Sequence, residues 1–178
     1  EGAMGIRRSY TKDFINPKNI YAKVLEAIFR LADQIENMIG TKGILTSNKL
    51  WEVLVALQTG HKILSDQRKH DAVDELGNNY EYKVSIGSTW GFEDISPKVL
   101  EKFKEEKAVL MATVDKSKLK VLKIYSADPI KVVTRLEEKL IAKQHRYGSR
   151  GKIVRRLQES LTMADLKKID ALEIYSAK

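Results

Sequence analysis

The chain has 178 residues, 43% of them hydrophobic and 31% charged, with a formal net charge of +8 and no cysteine. This length and composition are typical of one globular domain, and they exclude an intrinsically disordered chain, a disulfide scaffold and a zinc site with thiolate ligands. No apolar run reaches the roughly 20 residues of a membrane-spanning helix, so we expect a soluble protein without a membrane partner. The lack of cysteine suits the reducing cytoplasm, and the positive charge favours a polyanion such as nucleic acid.

The N-terminal segment predicts one long amphipathic helix. Residues 1–5 resemble a cloning remnant, and we leave them outside the fold. From Pro17 onward, aliphatic residues recur at helical spacing until Gly40 ends the pattern. The aliphatic stripe of this helix serves either core packing or a dimer contact.

A second helix is expected to follow. Ser47 is suited to cap it, it carries Glu52, and Gly60 marks its end. Residues 6–60 are therefore expected to form a helical region in which dimerisation is an additional role.

The next segment predicts a β-hairpin. The Gly-Asn-Asn stretch at residues 77–79 tolerates the positive φ angles of a tight turn. It separates the short apolar pair at residues 72–73 from residues 80–86, where side chains alternate as on a half-buried strand.

The remainder of the chain mixes helices and strands. In chain order we expect a helix from Ser96-Pro97 to Phe103, a buried strand at residues 108–114, its antiparallel neighbour at residues 119–125, a helix opened by Asp128-Pro129, an irregular basic segment beyond Gln144, and a short helix with a capping pattern at residues 162–165. This order predicts an α+β fold with a central mixed β-sheet flanked by helices, formed by one domain over residues 6–178.

One strand carries a group of residues that could do chemistry. On an extended strand Glu81 and Lys83 point to the same face, and the other arm of the hairpin brings Asp71 beside them. Two carboxylates form a hard-oxygen site suited to Mg²⁺, with the backbone carbonyl of Tyr82 as a further ligand. Mg²⁺ would neutralise charge on a phosphate and activate a water molecule, which Lys83 would orient. The alternative is a polar hairpin edge in which Glu81 and Lys83 form a screened ion pair.

The stretch "HDAVDELGNNYEYKVS" followed by "WGFED" resembles the catalytic core of the PD-(D/E)XK nuclease superfamily, and in particular its type II restriction endonucleases. The resemblance extends upstream to "NKLWEVLVALQTGHKIL" and downstream to the strand pair and the "ADP" helix, and it covers roughly residues 45–140. It implies a restriction-endonuclease-like core over residues 61–145. It also implies that Asp71 and Glu81 hold Mg²⁺ and that Lys83 assists the attacking water.

The chain departs from this family pattern at two places. Arg68 stands where a type II member has a glutamate, so Glu52 becomes the candidate for the corresponding catalytic role, with an exposed helix carboxylate as its alternative. The histidines that read bases in that member are replaced by residues 93–96, so we expect a different target sequence.

Two segments are expected to contact DNA. The loop at residues 85–96 offers candidate base readers, although core packing is the favoured alternative for Trp90. A basic and aromatic cluster around residues 145–152 is expected to anchor phosphates, at the start of a DNA-contacting region over residues 146–178. The candidates are Ser88, Thr89, Trp90, Glu93 and Asp94 in the first segment, and His145, Arg146, Tyr147, Arg150 and Lys152 in the second.

These observations predict a Mg²⁺-dependent type II restriction endonuclease. It would hydrolyse double-stranded DNA at a short palindromic site and leave 5′-phosphate and 3′-hydroxyl ends. Because one chain offers a single set of catalytic residues, cutting both strands predicts a homodimer, with the helix at residues 19–40 as its contact. Two alternatives stay open: a nicking, repair or junction-resolving nuclease with the same core, and a non-catalytic DNA-binding module.

Overall fold

The computed structural model describes residues 20–45, 48–64, 70–148 and 157–178. The expectations for residues 1–5, Pro17, Ser47 and Arg68 lie outside the described residues. The chain divides into two compact units, residues 1–50 and residues 51–178.

The helices and strands are numbered in chain order. The helices are α1 (Ile20–Ile39), α2 (Lys49–Thr59), α3 (Pro97–Lys104), α4 (Pro129–Gly148) and α5 (Met163–Lys168). The strands are β1 (Lys62–Ile63), β2 (Ala72–Val73), β3 (Asn79–Ser85), β4 (Thr89–Ile95), β5 (Ala108–Asp115), β6 (Lys120–Ala127), β7 (Leu157–Thr162) and β8 (Leu172–Ser176). Of the described helices, none combines the length and apolarity needed to span a membrane.

Helix α1 dominates the first unit and confirms the predicted long amphipathic helix. Gly40 ends it with φ 70°, a left-handed conformation that glycine adopts without strain. Glu36, which is buried, accepts hydrogen bonds from the backbone N–H groups of Gly43 and Ile44 at 3.1 and 3.2 Å, and so holds the turn that follows. Five large apolar side chains of this helix are exposed: Val24, Ile28, Leu31, Ile35 and Met38.

The second unit contains a mixed β-sheet. Within the described residues its strand order is β1-β2-β3-β5-β6-β8, and β3 and β5 run parallel whereas the other neighbours are antiparallel. Strands β4 and β7 form a separate antiparallel pair. This arrangement, with helices beside the sheet, confirms the predicted α+β fold with a central mixed sheet.

The predicted hairpin is also confirmed. Ala72 pairs with Tyr80 in antiparallel register, and Gly77 in the turn has φ 82°. Strands β5 and β6 are antiparallel neighbours, as expected from their apolar runs.

Two hydrophobic clusters lie on opposite faces of the sheet, and the strand register shows which side chains point to each. In the parallel register Glu81 pairs with Val109 and Lys83 with Met111, so these four side chains share one face. That face belongs to the cluster of Trp90, Phe92, Phe103, Val109, Met111, Val133, Leu136, Leu161 and Leu166. Tyr82 points to the opposite face, where the second cluster includes Trp51 and Val55 of α2. Strand β3 therefore presents its two charged residues on the side covered by α3 and α4.

Helix capping follows the sequence closely. Ser96 caps α3, Asp128 Oδ1 accepts from the backbone N–H groups of Ile130 and Lys131, and Thr162 and Asp165 form a complete capping box on α5. Each of these residues stands where a short polar side chain satisfies N–H groups that have no partner within the helix.

Two expectations were wrong. Residues 85–96 were expected to be a loop, but Thr89–Ile95 form β4, because Trp90 and Phe92 alternate with exposed residues and pack into the core. The chain beyond Gln144 was expected to be irregular, but α4 continues to Gly148.

Candidate active site

The hairpin places Asp71 at the edge of β3. Its backbone N–H donates to Tyr80 O, and its carbonyl accepts from Leu64 N–H, each at 3.0 Å. Because β2 pairs only with residues 79 and 80, the next N–H on that edge, from Tyr82, is open to a side chain. Asp71 Oδ2 accepts this N–H at 2.8 Å, so the carboxylate is held by its own backbone and by the strand beside it.

Asp74 fixes the turn that brings the two arms together. Its Oδ1 accepts from the N–H groups of Leu76 and Asn78, and its Oδ2 accepts from the Asn78 amide and the Tyr80 hydroxyl, all at 2.8–2.9 Å. The hydrogen bond from the Asn78 amide, together with the other donors, lowers the pKa of Asp74 to about 2. The turn is thereby stabilised by a charged acceptor at neutral pH.

Glu81 and Lys83 form a close pair on the neighbouring strand. Lys83 Nζ donates to Glu81 Oε1 at 2.6 Å. The ammonium also lies 5.3 Å from the ring centre of Phe92 and 5.5 Å from that of Phe103, within the range of cation–π attraction. Glu81 is only 8% exposed and Lys83 is half-buried, so the pair is shielded from solvent more than the screened pair of a hairpin edge would be.

The charges of Glu81 and Lys83 both act on the pKa of Asp71. Burial, followed by the negative charge of Glu81, raises the pKa of Asp71 to about 7. Glu52, which is half-buried on α2, adds to this rise, while the Tyr82 N–H and the Lys83 ammonium oppose it. A buried carboxyl group with a raised pKa is a common signature of a functional site, and a bound cation would relieve the repulsion that Asp71 experiences.

The donor atoms fit a hard divalent cation. In a β-strand the N–H and C=O of one residue point to the same edge, so the Tyr82 carbonyl points to the edge on which Asp71 lies. Mg²⁺ is usually held by one or two carboxylates and completes its shell with water and substrate phosphate oxygens. In the part of the chain that the structure describes, no group of three His, Asp or Glu side chains forms a ready-made metal site. The Mg²⁺ site expected at Asp71, Glu81 and the Tyr82 carbonyl therefore stays a prediction.

A further pair of residues next to the site was not found from the sequence. His70, immediately before Asp71, bonds through Nδ1 to Oε1 of the buried Glu106 at 2.6 Å. The two residues are 36 positions apart, so no local pattern links them. The position of His70 beside Asp71 was the one available signal.

The candidate base readers divide into two groups. Ser88, Thr89, Glu93 and Asp94 are exposed, and so are accessible to a partner. Trp90 is 1% exposed and its indole N–H donates to Ala112 O at 2.9 Å. The assignment of Trp90 as a base reader is therefore corrected to core packing.

The basic cluster after α4 is described only in part. His145, Arg146 and Tyr147 lie in the last turns of α4, but their side chains are outside the described part of the structure. Arg150 and Lys152 lie outside the described residues altogether. Their predicted contacts with phosphates stay predictions.

Comparison of the chain with models of known protein families and with curated protein sequences finds no match.

Proposed function

We propose that the protein is a Mg²⁺-dependent type II restriction endonuclease with a restriction-endonuclease-like core. The observation that supports this most directly is the hydrogen bond from Tyr82 N–H to Asp71, which places this carboxylate beside the strand that carries the part-buried Glu81–Lys83 pair. The resemblance of residues 70–94 to the PD-(D/E)XK nucleases gives the convergence its chemical interpretation, and the net charge of +8 suits a DNA substrate.

Each residue has a distinct role in this mechanism. Mg²⁺, when bound, would supply Lewis-acid stabilisation of the phosphate and lower the pKa of a water molecule. Asp71 and Glu81 would hold the cation, and the hydrogen bond from Tyr82 N–H fixes the Asp71 carboxylate in one orientation. Lys83, anchored by Glu81 and two aromatic rings, keeps its ammonium where it can orient the attacking water and stabilise charge on the phosphate. The water oxygen forms a bond to phosphorus and gives up a proton while the P–O3′ bond breaks. The 3′ oxygen takes up a proton from solvent and leaves as an alcohol, and the phosphate stays on the 5′ end. Glu52 contributes a third carboxylate from α2.

The proposal includes a homodimer, because a palindromic cut needs two active sites related by a twofold axis. Helix α1 supports this part. Its exposed residues Val24, Ile28, Leu31, Ile35 and Met38 alternate in steps of four and three, which is the spacing of a coiled-coil seam. Large exposed apolar stripes of this kind mark contact surfaces.

Digestion of phage DNA tests the proposal. The protein is incubated with the DNA in Mg²⁺, and the fragment ends are sequenced. A discrete set of fragments with one shared palindrome and 5′-phosphate ends is expected. Cleavage of nicked or branched substrates without a shared sequence would instead favour a repair or junction-resolving nuclease.

A binding assay separates the remaining alternative. In Ca²⁺ or EDTA, a gel shift by the wild type without any cleavage in Mg²⁺ would identify a DNA-binding module. Asp71→Ala serves as the control, because under the nuclease proposal it abolishes cleavage and leaves the gel shift largely intact.

A further inference from the structure

One part-buried hydrogen bond joins the residue before Asp71 to the segment that precedes β5. Glu106 lies between α3 and β5, and His70 precedes β2. His70 Nδ1 and Glu106 Oε1 are 2.6 Å apart, which is a short hydrogen bond whichever of the two atoms carries the proton. Strand β3 lies between β2 and β5, so the pair bridges the two neighbours of the strand that carries Glu81.

The hydrogen bond with His70 uses only one of the two oxygens of the Glu106 side chain. Glu106 is 5% exposed, and among the described residues its second oxygen, Oε2, has no hydrogen-bond partner. An unpaired buried polar atom costs roughly 1–3 kcal/mol, and a charged one costs more. A glutamine would accept the same hydrogen bond from His70 without burying a charge. The charge of Glu106 therefore calls for a reason other than folding.

The neighbouring groups indicate what that reason is. Burial raises the pKa of Glu106, the hydrogen bond and positive charge of His70 lower it, and the nearby Glu81 raises it again. Glu81 and Glu106 therefore repel each other when both are ionised, and His70, the partner of Glu106, adjoins Asp71. In its ionised form Glu106 adds to the negative potential at the two groups that would hold the cation.

We propose that Glu106 is a positioning residue for the metal site: held by His70, it fixes the backbone that carries Asp71 and adds the negative charge that favours a divalent cation beside Glu81. This inference rests on the proposed function, because it concerns the same metal site. Residues that support metal ligands typically change metal affinity by about 10–100-fold when they are mutated.

Calorimetric titration with Mn²⁺ alone, without DNA, tests the inference through a readout other than activity. Glu106→Gln keeps the size and the acceptor for His70 but removes the charge, and we expect its dissociation constant for Mn²⁺ to rise about tenfold or more. A residue with a merely structural role would leave this constant unchanged. Glu101→Gln is the matched control, since it removes the same charge from an exposed position on α3, and it should bind Mn²⁺ like the wild type.

A second pair of variants tests the hydrogen bond. His70→Phe keeps a ring but loses the donor, whereas His70→Asn keeps a donor close to the position of Nδ1. We expect weaker Mn²⁺ binding for His70→Phe and near wild-type binding for His70→Asn. His70→Phe is not folded if it shows no cooperative unfolding transition. In that case the Mn²⁺ affinity of Glu106→Gln alone tests the inference, because this variant preserves every hydrogen bond described.

The outcomes separate this inference from the proposed function. Wild-type affinity in Glu106→Gln overturns the inference alone. A wild type that binds Mn²⁺ but cuts no DNA overturns the nuclease and leaves the inference standing if Glu106→Gln binds more weakly. A wild type that binds no Mn²⁺ overturns both.

Discussion

Asp71 and Tyr82 are joined by a 2.8 Å hydrogen bond in which the backbone N–H of Tyr82 donates to the Asp71 carboxylate. The bond forms where the two-residue strand β2 has ended, so a side chain takes the place of a ladder partner. Tyr82 lies between Glu81 and Lys83 in the strand. The hydrogen bond to its N–H therefore places the Asp71 carboxylate beside the part of β3 that carries both residues.

Lys83 is expected to act on the reaction more than on metal binding. Lys83→Gln removes the ammonium that Glu81 and the two aromatic rings hold in place. We predict that the single-turnover cleavage rate falls by about 100-fold or more, while the dissociation constant for Mn²⁺ changes far less. Lys107→Gln, which makes the same charge change at an exposed position near β3, should cut DNA normally. Equal losses in the two variants would point to a general charge effect on DNA binding.

The exposed stripe of α1 is expected to form the dimer contact. Leu31→Glu places a charge in the middle of the stripe, where Leu31 is 58% exposed, and should convert the dimer to a monomer in sedimentation experiments. Asn37→Glu makes the same charge change on the polar side of the helix and should leave the dimer intact. If Leu31→Glu stays dimeric, the contact lies elsewhere. With the dimer lost, plasmid cleavage should stop at nicked circles or cease.

Asp165 provides a pH-dependent contribution to stability. Burial alone would raise its pKa, but hydrogen bonds from Lys139, from the Thr162 backbone and from Arg135 outweigh this and hold the pKa well below the ordinary value of 3.8. A lowered carboxyl pKa stabilises the fold above the unfolded-state pKa, and this stabilisation is lost as the pH falls through the folded-state value.

The free energy of unfolding of Asp165→Asn, measured in urea, should accordingly fall by about 3 kcal/mol at pH 7. The difference from the wild type should shrink as the pH drops below about 4. Asp170→Asn is the control, because its carboxylate is 78% exposed and its pair with Lys131 is screened by solvent. If the free energy of unfolding of Asp165→Asn differs from that of the wild type by the same amount from pH 7 to pH 3, the lowered pKa of Asp165 is contradicted.

The local parts of the site were predictable from the sequence. The turn residues near Gly77 and the alternation after it define the hairpin, and alternation alone puts Glu81 and Lys83 on one face. The capping box at Thr162 was readable for the same reason, since all of its partners lie within four residues.

Long-range pairing was not predictable. Residues 89–95 form a strand that pairs with a distant segment, in which Leu161 is the partner of Trp90. The residues near Trp90 in the sequence do not indicate this partner. The bond between His70 and Glu106 is equally distant in sequence, so the buried carboxylate beside the site became visible only in the folded chain.

We propose that Asp71 and its neighbours on β3 hold a divalent cation for DNA cleavage. It is tested most directly by incubating supercoiled plasmid in Mg²⁺ with the wild type, Asp71→Asn and Glu75→Gln, an exposed carboxylate on the same hairpin. We predict linear fragments with the wild type and Glu75→Gln, and intact plasmid with Asp71→Asn. Uncut plasmid with the wild type, or equal cleavage by Asp71→Asn, would contradict the account.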